Sequence, residues 1–196
     1  MFRKFAEDIA FYLTKKKVLD QDNREINEYA LEVILLNISL LIVFLLCGIL
    51  FKDYLFFLCY LCFFAPVRIY AGGYHLKKSE TCFFVSILSY VILLMVLKTN
   101  IYLYKNKMIF IVSIIILIII ALFSPVLNGN HPMSDKRIST NKKIIRIVNF
   151  IDIILLLIFF ANKIIIASYE MIFIMFNGIL FMIGKIENYV KANKKV

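Results

Sequence analysis

The run MIFIVSIIILIIIALFSPVL, Met108–Leu127, decides the fold class of this chain. It holds no charged residue and matches the ~20 residues that a helix needs to cross the hydrocarbon core of a bilayer. Further apolar runs lie on both sides of it, and the 196-residue chain is 62% hydrophobic with a mean hydropathy of +0.87. Soluble domains hold only about 45–50% apolar residues. The sequence therefore predicts an all-α integral membrane protein.

Polar segments divide the apolar sequence into six predicted transmembrane helices. Together they form a single predicted transmembrane domain over residues 1–196, with spans at about 29–51, 54–66, 82–97, 108–127, 147–161 and 164–183. Pro66 is expected to end or kink the short second span. Residues 2–19 are expected to form an amphipathic helix, which lies in the membrane interface or packs on the bundle.

The basic residues predict the orientation of these spans. If the N-terminus is cytoplasmic, the segments on that side hold 18 of the 23 Lys and Arg residues. This bias follows the positive-inside rule, so both termini and the segment 67–81 are predicted to be cytoplasmic in a multi-pass protein of the cell membrane. The basic residues that give the net charge of +10 flank the apolar runs and do not form one basic face. Anionic membrane lipids are therefore the expected partner of this charge, and nucleic acid is not.

The polar stretch PVRIYAGGYHLKKSETC, Pro66–Cys82, separates the second and third predicted spans. It contains Cys82, one of the two histidines (His75) and the only pair of adjacent glycines (Gly72 and Gly73). Titratable side chains beside glycines, between apolar helices, are typical of a site where chemistry takes place. Cys82 and His75 are therefore the candidate catalytic residues.

A cysteine peptidase attacks a peptide bond with a thiolate, which a nearby histidine generates as a base. On an unbroken helix His75 and Cys82 would lie about 10 Å apart along the axis. Proton transfer needs about 3 Å, so we expect the chain to bend between them, with Ser79 as the N-cap of the third span. Cys82 would then lie in the first helical turn, where the helix dipole favours the thiolate.

Neighbouring residues are candidates for substrate binding and oxyanion support. Lys77 and Lys78 add positive potential, and main-chain N–H groups near Gly72 and Gly73, or at the start of the third span, are candidate oxyanion donors. Arg68 is a candidate for binding a substrate carboxylate. Each residue also has a structural interpretation: Arg68 reaching the lipid headgroups, the lysines forming a solvated patch, and the glycines allowing close helix packing.

The other polar residues within or near the apolar runs give no clear third catalytic group. Three acids are equal candidates for orienting the histidine: Asp8, Glu80 and Asp152. Glu170 lies well inside the sixth predicted span, where it is expected to face the bundle interior or line a substrate path. The other cysteines lie in apolar runs and are interpreted as small buried residues: Cys47, Cys59 and Cys62. No metal and no cofactor is expected.

The pattern Arg68-x-x-Ala71-Gly72-Gly73-x-His75, followed by Cys82, resembles the signature of the accessory gene regulator B (AgrB) family. Members of this family are membrane peptidases of Gram-positive bacteria that process quorum-sensing pro-peptides. The resemblance extends along the whole chain, because its size, amphipathic N-terminus, number of spans and cytoplasmic motif agree with the family.

The resemblance implies that Cys82 is the nucleophile and His75 its base. The implied substrate is a small AgrD-like precursor with an amphipathic leader, a ring-forming middle and an acidic tail. Cleavage would release the tail and leave an acyl thioester on the enzyme, which a thiol or hydroxyl of the same peptide converts into a thiolactone or lactone. Arg68, Lys77 and Lys78 would contact the acidic tail, and members of the family are thought to work as homodimers.

A second class of function is a non-enzymatic membrane protein, either a peptide exporter or a scaffold for a sensor. Asp152 and Glu170 within the spans, and the absence of an evident third catalytic group, favour this alternative. Under it, a Cys82→Ala variant would still move or bind its partner.

Overall fold

The computed structural model describes residues 2–16, 18–19, 24–74, 76, 78–100, 102–126 and 134–193. Besides a 3₁₀ turn at Leu103–Lys105, these residues form seven longer helices in chain order: α1 (Phe2–Lys15), α2 (Arg24–Leu50), α3 (Tyr54–Ala71), α4 (Ser79–Thr99), α5 (Lys107–Phe123), α6 (Asp135–Ala161) and α7 (Ile166–Asn193). Of the described residues, 88% are helical and none lies in a strand. The predicted all-α class is therefore confirmed.

Five of these helices are long and apolar enough to cross a membrane: α2, α3, α4, α6 and α7. The fifth helix in the chain, α5, is the most apolar run of the sequence but has only 17 helical residues. Asn106 caps its N-terminus, because its side chain accepts hydrogen bonds from the main-chain N–H groups of Met108 and Ile109. The helix ends at Phe123. The predicted count of six spans therefore stays a prediction, as does the orientation of the termini.

The helix α3 continues through Pro66, where the sequence analysis placed the end of the second span. A π-helical segment, Tyr60–Phe64, ends two residues before the proline, and the chain then stays helical as far as Ala71. Proline has no N–H to donate, and a π-helical turn changes the hydrogen-bonding register at that point. The wider turn is how the helix passes the proline without ending.

The helix α6 begins at Asp135, well before the predicted start of the fifth span near residue 147. Ser134 caps its N-terminus by accepting a hydrogen bond from the Arg137 N–H, with Asp135 in the first turn. The buried residues of this helix form one stripe at helical spacing from residue 141 to residue 156: Asn141, Ile145, Asn149, Asp152 and Leu156. Residues 135–146 are therefore helical and partly buried on one side, and the predicted start of the fifth span near residue 147 stays a prediction.

The described residues divide into two compact units. In the first, made of Met1–Asp53 and Leu76–Ile92, α1 packs on α2, and its buried residues include Ala6 and Ala10. The Phe44 and Tyr90 rings stack with centroids 4.2 Å apart, and the Tyr90 hydroxyl donates to the Phe44 carbonyl. The predicted amphipathic helix is present, although its aromatic side chains at positions 5 and 12 are exposed.

In the second unit, Tyr54–His75 and Leu93–Val196, α7 is the central helix. In its most apolar window 61% of the residues are buried, against 17–33% for the other candidate spans. Phe173 contacts the rings of Phe56 and Phe64 on α3, and the Asn177 amide donates to the Phe64 carbonyl. In a bilayer such close packing and polar contacts hold helices together, because lipid is as apolar as the side chains.

Candidate functional site

The helix α3 ends at the two glycines of the motif. Gly72 has φ 72° and Gly73 has φ 135°, and both values lie in the region that residues with a side chain rarely adopt. A Cβ on Gly72 would also lie 2.8 Å from the carbonyl oxygen of Val126. The two glycines therefore turn the chain out of the helix at a place where no larger residue fits.

The Arg68 side chain holds this turn from within. Its Nη1 donates to the Gly72 carbonyl at 3.1 Å, and its Nη2 donates to the Tyr74 carbonyl. A Cβ on Gly73 would overlap the same guanidinium group. Because these hydrogen bonds have a charged donor, they are stronger than neutral ones. Arg68 thus binds main-chain carbonyls, and its predicted contact with a substrate carboxylate stays a prediction.

Two segments that are distant in sequence form hydrogen bonds with the turn. The Val126 N–H donates to the Ala71 carbonyl at 2.8 Å, and the Tyr74 N–H donates to the Leu180 carbonyl of α7 at 3.0 Å. Gly184, one helical turn beyond Leu180, faces the same segment: a Cβ there would lie 2.8 Å from the Tyr74 nitrogen and 2.9 Å from the Gly73 carbonyl carbon. The segment Gly72–Tyr74 is therefore held by hydrogen bonds and close contacts on several sides.

The candidate nucleophile Cys82 is a half-buried free thiol and the fourth residue of α4. Its own N–H donates to the Lys78 carbonyl at 3.0 Å, so Lys78 occupies the capping position that was predicted for Ser79. The Ser79 hydroxyl instead donates to the Glu32 carboxylate of α2. Cys82 is thus in the first turn of the helix, as predicted, although the cap is one residue earlier.

The structure describes only some of the other predicted site residues. His75 and Lys77 lie outside the described residues, and Lys78 is exposed. The non-helical residues described between the two helices are Gly72, Gly73, Tyr74, Leu76 and Lys78. An unbroken helix from His75 to Cys82, which would have kept the two apart, is therefore not what the chain forms.

A buried acidic pair lies elsewhere in the second unit. Glu170 is fully buried and Asp152 is 3% exposed, and among the described residues no hydrogen-bond partner exists for either oxygen of Glu170 or for Oδ2 of Asp152. The Oδ1 of Asn149, one turn from Asp152, is also unpartnered there. The expectation that Glu170 faces the interior agrees with its burial. In the described part of the chain, no three His, Cys, Asp or Glu side chains converge to hold a metal ion.

Three residues that contact the motif were not predicted from the sequence: Gly184, Leu180 and Val126. The predicted sixth span ended at Ile183, so Gly184 was assigned to the basic tail, whereas α7 continues to Asn193. Leu180 and Val126 contribute main-chain atoms, which leave no signature in the side-chain pattern. A glycine at the end of an apolar run was the only signal that the sequence offered.

A multi-pass helical protein with a glycine turn between two apolar helices is the class that the fold and the motif define. The model of the accessory gene regulator B family matches residues 6–185. The chain is also 29% identical to AgrB-like protein 1 of Clostridium perfringens (strain 13 / Type A) over 164 residues, which cover 81% of this chain and 84% of that relative. No solved structure matches the chain.

The chain belongs to the AgrB family, because the family model covers most of its length. Membership implies a part in processing the signalling peptide of an agr quorum-sensing system, with an AgrD-like precursor as the substrate. The five long apolar helices agree with a multi-pass membrane protein.

Proposed function

We propose that this protein is a membrane-embedded cysteine endopeptidase that removes the C-terminal tail of an AgrD-like precursor and helps to cyclise the remainder. The observation that carries the proposal is the turn at Gly72 and Gly73, which ends one helix before His75 and lets the next begin at Ser79. The break supports the proposal because an unbroken helix would hold residues 75 and 82 about 10 Å apart along its axis, too far for proton transfer.

In the proposed first step, the Cys82 sulfur attacks the carbonyl carbon that joins the middle of the precursor to its tail. The carbon–nitrogen bond breaks, and the histidine at position 75 returns the proton it took from the thiol to the departing amine. The tail leaves as a free peptide, and the rest of the precursor stays on the enzyme as a thioester. Main-chain N–H groups near Gly72 and Gly73, or at the start of α4, support the oxyanion.

In the second step, a thiol or hydroxyl of the same precursor attacks the thioester. The Cys82 thiol is released with the proton of the attacking group, and the product is a thiolactone or lactone. Holding that nucleophile near the thioester and excluding water favours ring closure over hydrolysis. Arg68, Lys77 and Lys78 are proposed to attract the acidic tail, since a basic surface steers an acidic peptide.

The proposed topology follows the distribution of basic residues. Six spans, with the shorter α5 crossing beside the five long helices, would place both termini and the motif on the cytoplasmic side of the cell membrane of a Gram-positive bacterium. Anionic lipids and a second copy of the chain are proposed partners. Under the proposed function, residues 1–196 form one peptidase domain.

The proposal is tested by co-expressing the protein with an epitope-tagged AgrD-like precursor and measuring tail removal. Cys82→Ala and His75→Ala are each expected to abolish it while the amount of membrane-inserted protein stays constant. Cys47→Ala is the matched control, because Cys47 is also a half-buried free thiol in a membrane helix. Normal processing by Cys82→Ala would refute the mechanism.

The exporter or scaffold alternative rests on the unpartnered carboxyl groups of Asp152 and Glu170. It predicts that Cys82→Ala still exports or binds the precursor, and that a thiol reagent labels Cys82 no faster than Cys47. The same co-expression experiment therefore separates the two functions.

A further inference from the structure

The approach of α7 to the glycine turn is closer than a side chain would allow. A Cβ at position 184 would meet the Tyr74 nitrogen at 2.8 Å and the Gly73 carbonyl carbon and Cα at 2.9 and 3.1 Å. Ordinary contact begins near 3.5 Å, so an alanine there would have to displace its neighbours by about 0.7 Å. These neighbours are main-chain atoms, which cannot turn aside as a side chain can.

The segment that Gly184 contacts is also held by hydrogen bonds from Arg68 and to α7 itself. Arg68 binds the Gly72 and Tyr74 carbonyls, and the Leu180 carbonyl accepts the Tyr74 N–H. A displacement caused at Gly184 would therefore stretch these hydrogen bonds or move the whole segment. The Tyr74 carbonyl, which Arg68 holds, is also the start of the peptide bond to residue 75.

We propose that Gly184 is a positioning residue for the motif: because it has no side chain, α7 can pack directly against Gly73 and Tyr74, the residues that precede His75 in the sequence. This inference rests on the proposed function, in which His75 is the base. Gly184 touches no substrate and takes part in no chemical step. A misplacement of a catalytic group by about 1 Å can cost about 100-fold in rate.

The chain provides a matched control on the same helix. A Cβ at Gly178 would also approach a neighbour closely, at 2.7 Å, but that neighbour is the Cγ2 atom of the Ile116 side chain. Gly178→Ala therefore introduces the same methyl group, at the same kind of buried position in α7, without touching the motif. A general effect of lost helix packing should affect both variants alike.

The test compares Gly184→Ala and Gly178→Ala as purified full-length proteins in lipid nanodiscs. With an AgrD-like precursor peptide, Gly184→Ala is expected to lower kcat of tail removal by about 100-fold with KM changed less than about threefold. Gly178→Ala is expected to stay within about threefold in both constants. The split between kcat and KM distinguishes a positioning role from loss of substrate binding. The amount of monodisperse protein, measured for each variant, distinguishes it from loss of folded enzyme.

A second readout needs no substrate. Iodoacetamide is used to alkylate Cys82 at neutral pH in proteins whose other cysteines are replaced by alanine: Cys47, Cys59 and Cys62. His75→Ala is expected to slow this alkylation, Gly184→Ala to slow it to the same rate, and Gly178→Ala to leave it unchanged.

Each outcome decides the inference. Wild-type kcat in Gly184→Ala would overturn it, and so would parallel losses in both glycine variants. A Gly184→Ala protein that fails to accumulate in monodisperse form, while Gly178→Ala does, would assign the contact to holding the bundle and would also overturn it. If His75→Ala itself keeps normal alkylation and processing, the proposed function fails instead, independently of Gly184.

Discussion

Replacing Arg68 by lysine should loosen the glycine turn without removing the positive charge. The guanidinium group donates to the Gly72 and Tyr74 carbonyls at once, whereas a lysine ammonium on a flexible stem cannot reproduce this fork. A hydrogen bond with a charged donor contributes about 1.5–3 kcal/mol. Arg68→Lys should therefore lose about that amount from the local stability of the segment, if one of the two bonds survives.

Hydrogen exchange at the Tyr74 amide measures this loss directly, because that N–H is bonded to the Leu180 carbonyl. A local loss of 1.5–3 kcal/mol corresponds to exchange that is about 10- to 150-fold faster. The exchange is followed by mass spectrometry of peptides covering 69–76 in nanodiscs. Arg3→Lys is the control, since Arg3 forms an exposed ion pair with Glu7 and should have no effect at Tyr74. Unchanged exchange in Arg68→Lys would refute the reasoning that this side chain holds the turn.

Three further predictions concern other parts of the molecule. Gly72→Ala puts a side chain at φ 72°, with its Cβ 2.8 Å from the Val126 carbonyl oxygen. It should lower the free energy of unfolding by about 1–3 kcal/mol and the rate of tail removal at least about tenfold. Tail removal at the wild-type rate would contradict this. Glu170→Met replaces an unpartnered buried carboxyl by an apolar group of similar size and should raise the free energy of unfolding by about 1–3 kcal/mol. A lower thermal midpoint would show instead that the carboxyl has a partner. Ser79→Ala removes the hydroxyl that donates to Glu32 and should cost about 1.5–3 kcal/mol, seen as faster exchange in the first turn of α4; equal exchange rates would count against that contact.

The helical class and most helix positions were predictable because membrane spans depend on local composition. Twenty apolar residues without charge have few alternatives in a bilayer, since every backbone group must be satisfied within the segment. The helix α2, which covers most of the predicted span 29–51, illustrates this. The start of α6 was not predictable in the same way, because residues 135–146 are polar on three sides and packed on the fourth, and hydropathy averages over the sides.

The path of the chain through Pro66 shows a different limit of prediction from sequence. A proline is a sound signal for the end of a helix, but the π-helical segment Tyr60–Phe64 absorbs its effect here. Sequence alone gives no sign of that segment, whose Phe64 contacts Phe173 and Phe176 of a helix more than 100 positions later.

For the site, the residues of the motif were predictable and their partners were not. The adjacent glycines predicted a break, and the structure has positive φ at both. The same sequence gave no reason to connect residue 73 with residue 184, more than 100 positions later. Arg68 shows the converse: its charge suggested a role toward substrate, and its geometry reveals bonds to the backbone of its own segment.

The central claim, that Cys82 forms a covalent acyl intermediate, is tested most directly by mass spectrometry of the Cys82→Ser variant incubated with an AgrD-like precursor. An oxygen nucleophile makes an ester, which is transferred more slowly than a thioester, so the intermediate should accumulate. The account predicts a mass increase equal to the precursor without its tail, located on the peptide that contains position 82. Tail removal by Cys82→Ser with no adduct there, or an adduct at another residue, would contradict it.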